Sequence, residues 1–379
     1  MAGRDLRPVV VLGATGSIGL QTLEVADRLG LPVAALAAGR LSPEFLALAE
    51  RYPDAMLSVA DEEPESSPPN RTLGFGAKAV AMLATLEGAV VVNGIVGAAG
   101  LEPTLAALEA GNRVALANKE SLVTGGPLVL EALQTEGAEL IPVDSEHSAV
   151  WQCLAGEDPA TVKRVVLTAS GGPFRGMSSE ELDGVTVEQA LAHPTWDMGD
   201  RITIDSATLM NKALEVIEAH FLFGLDFDQI DVVVHPQSFI HSFVEFVDGV
   251  VKAEVGPPDM RKPIQVALTH PRRAPSQAGD FDFTDLTFST PDRQTFPALD
   301  LGYEAGRRGG NAPAVLNAAD EVAVSAFLDG RIPFTAITEV VASSLDTVPP
   351  QSLQRLEDAL DADRKGRNAA TNAVEELSS

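Results

Sequence analysis

Cysteine is almost absent from this chain: Cys153 is the single thiol in 379 residues. One thiol closes no internal disulfide and builds no tetrathiolate zinc or iron–sulfur site, so Cys153 reads as a small buried side chain. Positive charge is also scarce, with 27 Lys and Arg against 54 Asp and Glu, a formal net charge of -27. A field of that sign repels phosphate backbones and anionic membrane faces, which argues against nucleic acid as a partner. Long apolar runs are missing, since none reaches the roughly 20 residues of a membrane span. The opening MAGRDLRPVVVLGATG lacks a signal-peptide layout, because its short apolar run leads directly into a glycine loop. The expectation is a cytoplasmic protein with no membrane partner. What is plentiful is ordinary core-forming sequence: 45% of residues are hydrophobic and 21% charged, enough for two or three domains.

From Pro8 to Asp144, strand-like runs (Val9–Leu12, Val33–Ala37, Met56–Val59, Val90–Val92, Arg113–Ala117, Leu140–Val143) alternate with helical stretches near Ile18–Leu29, Glu44–Glu50, Ala77–Thr85, Thr104–Glu109 and Leu128–Gln134. That alternation predicts an α/β fold whose first domain, residues 1–144, is a Rossmann-like, doubly wound parallel sheet. Asp61–Asn70 is polar and proline-rich and reads as an exposed loop. Residues 145–274 change character, with a strand at Arg164–Thr168, a glycine turn at Ser170–Pro173, one long helix from about Ser206 to Phe223, and two runs flanking Asp248–Gly249 as a hairpin. This predicts a central, antiparallel α+β catalytic domain. Residues 275–297 lack periodicity and read as a connecting arm, and residues 298–379 as a C-terminal helical bundle with a frayed polar end. There is no internal repeat.

Several motifs carry chemistry. Gly13-Ala14-Thr15-Gly16-Ser17-Ile18-Gly19 follows the first strand and opens the first helix, where small residues let backbone N–H groups approach a pyrophosphate. The second strand ends in Ala38-Gly39-Arg40, a cation where NAD enzymes usually place an acid, which favours NADP(H); an exposed loop arginine is the alternative. Asn118-Lys119-Glu120 stands at a strand's carboxyl end, where open α/β sheets bind ligands. In Asp144-Ser145-Glu146-His147, an extended backbone would project Asp144 and Glu146 together. Such a pair suits a hard divalent cation, Mg²⁺ or Mn²⁺, or else is a solvated acidic turn.

Asn211, Lys212 and Glu215 share one face of the long helix, able to meet a phosphate and a metal, or simply a solvated face. Ser206, near that helix's expected start, would add a hydroxyl to anion-favouring amides. Ser170-Gly171-Gly172-Pro173 offers further anion donors. His193-Pro194-Thr195-Trp196-Asp197-Met198-Gly199 places a tryptophan in a proline-bent loop, as a lid over substrate or as packing. His147, His220, His235 and His241 read as structural.

These pieces together, GATGSIG, ANKESLV, VDSEHSA, SGGPF, HPTWDMG and DSATLMNKALEVIEA, resemble the 1-deoxy-D-xylulose 5-phosphate reductoisomerase family in order from residue 9 to about 320. The resemblance implies an NADPH-dependent homodimeric enzyme of isoprene biosynthesis that makes 2-C-methyl-D-erythritol 4-phosphate. It implies a divalent metal, Mg²⁺ or Mn²⁺ with Co²⁺ a third option, on Asp144, Glu146 and Glu215. Lys119 and those carboxylates would be catalytic, with Lys119, Ser145, Glu146 and Glu215 meeting substrate. The substrate phosphate would lie among Ser170, Ser206, Asn211 and Lys212, with His193 beside it, under a flap bearing Trp196 and Met198. Thr15, Gly16, Ser17, Ile18, Gly39, Arg40, Asn118, Glu120 and Gly199 would touch NADPH. One departure is Leu41, where many members carry asparagine. The proton donor stays open among a metal-held water, Lys119 and a histidine. Two other classes remain open from the residues: a semialdehyde- or homoserine-type NADP dehydrogenase, which needs no metal site with three carboxylates, and a non-catalytic NADP-sensing protein.

Overall fold

The computed structural model describes residues 7–61, 73–196, 198–277, 279, 281 and 285–378. Most of the Asp61–Asn70 loop lies outside the described residues. The chain divides into two compact units, the first formed by residues 1–121, 128–148 and 259–278, the second by 122–127, 149–258 and 279–379.

In the first unit, buried valine- and alanine-rich runs form seven parallel strands: β1 (Val9–Leu12), β2 (Val33–Ala38), β3 (Met56–Val59), β4 (Leu73–Phe75), β5 (Val90–Asn93), β6 (Arg113–Leu116) and β7 (Glu139–Pro142). Their order is β4-β3-β2-β1-β5-β6-β7. Every neighbouring pair is parallel. Helices α1 (Ser17–Leu29), α2 (Pro43–Arg51), α3 (Ala77–Ala84) and α4 (Leu101–Glu109) link the strands. Strand order reverses between β1 and β5, so a ligand crevice is expected outside the carboxyl ends of those strands. The short strand β4 was not legible, because three residues carry no periodicity. Helix α5 (Glu120–Ala132) is interrupted at Gly125, two residues before Pro127. Helix α6 (Ser145–Cys153) follows β7 after a two-residue turn.

The second unit holds a mixed four-stranded sheet in the order β11-β10-β8-β9, built from β8 (Val162–Ala169), β9 (Ile230–Val234), β10 (Ile240–Phe246) and β11 (Val251–Val255). The hairpin at Asp248–Gly249 forms as expected, but β8 and β9 pair in parallel. The connection between them makes that possible, since it is long enough to cross over. It carries the short helices α7 (Ser179–Leu182) and α8 (Val187–Leu191), then α9 (Asp200–Thr208) and α10 (Met210–Phe223). The expected single helix from Ser206 is thus two, broken at Leu209, which adopts φ 64°.

After α11 (Arg261–Thr269), which belongs to the first unit, come α12 (Ala298–Arg308), α13 (Ala312–Leu328), α14 (Ala336–Thr347) and α15 (Leu356–Leu377). The chain end expected to fray is helical through Leu377, held by Ala359, Ala362, Gly366, Ala370 and Val374 on its buried face. These helices share one continuous core with the mixed sheet, so sheet and bundle form one compact unit. Small residues allow the closest approaches. A Cβ on Gly302 of α12 would lie 2.5 Å from Ala213 Cβ of α10. One on Gly366 of α15 would lie 2.9 Å from Ala318 Cβ of α13.

Candidate active site

The glycine loop of the first unit is shaped for close backbone approach. Gly13 adopts φ +82°, and a Cβ there would sit 2.6 Å from the carbonyl oxygen of Gly94, at the end of β5. A Cβ on Gly19 would fall 2.3 Å from Gly13 O, so α1 packs directly on the turn. Gly16 caps α1, bringing Thr15, Gly16, Ser17 and Ile18 to the helix N-terminus at the reversal point. Beside it, Thr15, Gly39, Arg40, Ser42, Glu44 and Asp61 line a groove of about 570 Å³. Arg40 therefore opens into the groove that Thr15 shares, as a 2′-phosphate partner must. Ser42 is the N-cap of α2, accepting from Phe45 N. Its bond to Glu44, with Arg40 nearby, holds that carboxyl below its usual range. Ser42 and Asp61 were not foreseen, although Ser42-Pro43-Glu44 is a helix-start signature.

Asn118 is buried and spends its amide on the protein, donating to Ile95 O (2.7 Å), Gly97 O (3.0 Å) and Glu120 Oε2 (2.9 Å). Glu120 Oε1 in turn accepts from Gly97 N. This pair braces the loop after β5 that flanks the expected nicotinamide end of the crevice. Lys119, between them, reaches the other way: its Nζ lies 2.5 Å from Asp144 Oδ2, with both side chains nearly buried.

The chain turns immediately after Val143, so the extended i,i+2 geometry expected for Asp144 and Glu146 does not occur. Asp144 precedes α6 and accepts from Ser148 N through its carbonyl, while Glu146 lies in the first helical turn. The two carboxylates still present oxygens within 4.8 Å of one another. Ser145 Oγ donates to Glu146 Oε2 at 2.5 Å. His147 is fully buried with Nδ1 3.9 Å from Asp144 Oδ2. An oxygen-only pair with one lysine against it has the donor chemistry a hard divalent ion requires.

In the second unit, β8 ends in the Ser170 turn. Gly172, at φ +67°, presses against the last turn of α9: a Cβ there would lie 2.8 Å from Ser206 O and 3.0 Å from Ala207 Cα. His193 Nδ1 accepts from Thr195 N (3.2 Å) and Trp196 N (2.9 Å), which places the ring proton on Nε2. Nε2 then donates to Ser170 Oγ at 3.0 Å, and Gly172 N donates to the same oxygen at 3.2 Å. With both acceptor positions of Ser170 used, its hydroxyl proton is left to donate to an anion. Burial pushes the His193 pKa down, consistent with a neutral ring. Trp196 tilts against His241 at 6.3 Å between centroids.

Ser206 sits at the end of α9, not at a helix start, so the anion-favouring amides expected around it belong instead to α10, whose first turn carries Asn211 and Lys212. Asn211 Nδ2 donates to Glu215 Oε1 at 2.6 Å, and Lys212 Nζ donates to Glu215 Oε2. Lys212 and Glu215 are both buried, which no solvated surface pair would be. Met198 and Gly199 close the loop that runs from His193 into α9, with Gly199 as its N-cap.

A glycine-cradled parallel sheet with a cation at the end of its second strand has the arrangement of a nucleotide-dependent oxidoreductase. Comparison narrows it. A family model described as 1-deoxy-D-xylulose 5-phosphate reductoisomerase matches residues 9–126. Models of that enzyme's C-terminal domains match residues 140–223 and 255–369. The 1-deoxy-D-xylulose 5-phosphate reductoisomerase of Symbiobacterium thermophilum is 50% identical over 378 residues, 96% of this chain and 97% of that one. The Zymomonas mobilis reductoisomerase, solved in complex with NADPH, shares 42% identity at a TM-score of 0.89, covering 98% of this chain and 100% of that one. A DOX-P reductoisomerase solved with NADPH, fosmidomycin and magnesium shares 38% identity at a TM-score of 0.90, covering 98% of this chain and 99% of that one. The chain belongs to the 1-deoxy-D-xylulose 5-phosphate reductoisomerase family.

Proposed function

We propose that this chain converts 1-deoxy-D-xylulose 5-phosphate to 2-C-methyl-D-erythritol 4-phosphate, an isoprenoid precursor, using NADPH and a divalent metal. The observation that carries the reading is a matched pair of lysine-countered carboxylates in a chain of this family: Asp144 against Lys119, and Glu215 against Lys212. Neither half is explained as surface decoration, since all four side chains are nearly or fully withdrawn from water.

Asp144, Glu146 and Glu215 would hold the ion, and Thr15, Gly16, Ser17, Ile18, Gly39, Arg40, Asn118, Glu120 and Gly199 would line the cofactor's path. When bound, the ion supplies Lewis acidity to substrate oxygens as the carbon skeleton rearranges, and NADPH supplies the hydride that reduces the resulting aldehyde. The protein's own residues do the positioning. Ser170, with its proton free to donate, Ser206, Asn211 and Lys212 grip the remote phosphate, and that binding energy orients the reacting carbons. Ser145 and Lys119 offer an O–H and an ammonium to the substrate's hydroxyl and carbonyl oxygens. The neutral His193 ring fixes the Ser170 rotor, and Trp196 and Met198 exclude water from above.

We also place the enzyme in the cytoplasm and as a homodimer. Among the described residues, no helix is long and apolar enough to cross a membrane. Strand β11 is a sheet edge carrying exposed Val251 and Val255, beside exposed Val247 and Val250, a surface suited to pairing with a second copy. The test of function is direct. Purified protein with NADPH, Mg²⁺ and 1-deoxy-D-xylulose 5-phosphate should lose nicotinamide absorbance only when all are present, and chelator should stop it. Oxidation of NADPH that ignores the sugar phosphate, or persists in chelator, would overturn the reading.

A further inference from the structure

Helix α9 joins two parts of the site, running from Gly199 at the end of the His193 loop to Ser206 and Ala207 behind the Ser170 turn. Its outer face is not solvated. Arg201, in its first turn, donates to Asn317 Oδ1 at 2.9 Å and to Glu321 Oε1 at 3.0 Å, both on α13. The same guanidinium lies 3.4 Å from Asp320 Oδ2 and 3.6 Å from Asp205 Oδ2, one turn along α9. Asp320 is wholly buried, with Asp205 beside it. Burial accordingly raises Asp320 to about 6. Glu321 is shared with Arg367 of α15, which also pairs with Asp363.

A buried network of this kind fixes geometry more than it adds stability. It sits where geometry matters. Asp205 directly precedes Ser206, and the backbone of Ser206 and Ala207 is the wall that Gly172 presses on. The cluster ties α9 to α13 and, through Glu321, to α15.

We propose that Arg201, Asp205 and Asp320 are positioning residues for the substrate's phosphate, fastening α9 to α13 so that Ser206 and the Ser170 turn keep one spacing. This rests on the phosphate seat proposed above. It gives the C-terminal helices a part in substrate affinity that their distance along the chain from the site motifs conceals.

The test compares Asp320→Leu, which fills similar volume without polar groups, with Asp320→Asn, whose amide can donate to Asp205 and whose oxygen can accept from Arg201. Both are first checked by thermal melting. In steady-state assays, Asp320→Leu should raise KM for 1-deoxy-D-xylulose 5-phosphate about tenfold or more while KM for NADPH stays within about twofold, and Asp320→Asn should lie within about threefold of the parent on both. Inorganic phosphate, titrated against Trp196 fluorescence in a Trp151→Phe background, should show the same ordering: weakened by Leu, restored by Asn. A folded Asp320→Leu protein with unchanged phosphate affinity overturns the proposal, as does a leucine variant whose two KM values rise together. If the parent protein fails to turn over the sugar phosphate, the functional reading falls, and the phosphate titration still decides this one.

Discussion

Replacing Gly172 with alanine tests whether the Ser170 turn and α9 form one phosphate seat. Gly172 adopts φ +67°, and an added Cβ would lie 2.8 Å from Ser206 O and 3.0 Å from Ala207 Cα, both backbone atoms that cannot rotate away. Gly176, a few residues on, adopts φ +88° with nothing within 4 Å of its Cβ position. Both substitutions incur the left-handed backbone cost of about 1–2 kcal/mol. Only Gly172→Ala adds overpacking, worth about 1–3 kcal/mol. The difference between the two variants thus isolates the clash. If it is relieved by the turn moving away from α9, the phosphate seat widens and loses a comparable amount of substrate binding. At about 1.4 kcal/mol per tenfold, KM for the sugar phosphate should rise about 5- to 150-fold in Gly172→Ala and much less in Gly176→Ala. Urea unfolding gives the stability difference, and steady-state kinetics at saturating NADPH gives KM. Equal destabilisation in the two variants, with KM unchanged in both, would refute the claim that these surfaces are pressed together around the phosphate.

Other perturbations have definite expected outcomes. Lys212→Met takes the ammonium away from the buried Glu215 carboxylate, so urea unfolding should show a loss of about 3–5 kcal/mol, most of it recovered when Glu215→Gln is added; equal losses in single and double variants would contradict a paired buried charge. Arg40→Leu should lower the preference for NADPH over NADH in kcat/KM about 10- to 100-fold, the worth of charge-assisted bonds of about 1.5–3 kcal/mol, and an unchanged preference would show that Arg40 does not face the 2′-phosphate. His193 has a lowered pKa because it is desolvated, so its neutral form belongs to the folded state. Its contribution to stability is therefore fully present above the ordinary value of 6.5 and is lost as pH falls below 6.5 toward the depressed value, while KM for the sugar phosphate rises as pH falls through that depressed value itself. His193→Gln should flatten that rise, and an acid limb identical to the parent's would assign it to another group.

Much of this architecture is legible in the sequence because its signals are local. The strand and helix alternation before residue 144 survives almost unchanged, and Gly13, Gly19 and Arg40 stand where strand–turn–helix logic puts them. Readings that depended on continuing one backbone state did not survive. Asp144 and Glu146 come close through a helix start rather than an extended strand, and Leu209 breaks a helix whose apolar period runs through it without a glycine or proline to mark the break. The parallel pairing of β8 with β9 depends on a crossover, and strand composition alone does not encode it. The Arg201 cluster was illegible for a different reason: its partners Asn317, Asp320 and Glu321 lie more than a hundred residues away, and one arginine among scattered acids has no pattern. Nor is it legible that the Asn118 side chain, expected to touch cofactor, also braces the loop through Ile95 and Gly97.

We propose that Asp144, Glu146 and Glu215, contributed by two separate stretches of chain, serve one divalent ion. Mn²⁺ binding followed by electron paramagnetic resonance measures this directly, without turnover. One tight Mn²⁺ per chain is expected in the parent protein, lost in Asp144→Asn and equally in Glu215→Gln, with NADPH affinity retained in both. A Glu215→Gln protein that binds Mn²⁺ as the parent does would contradict it.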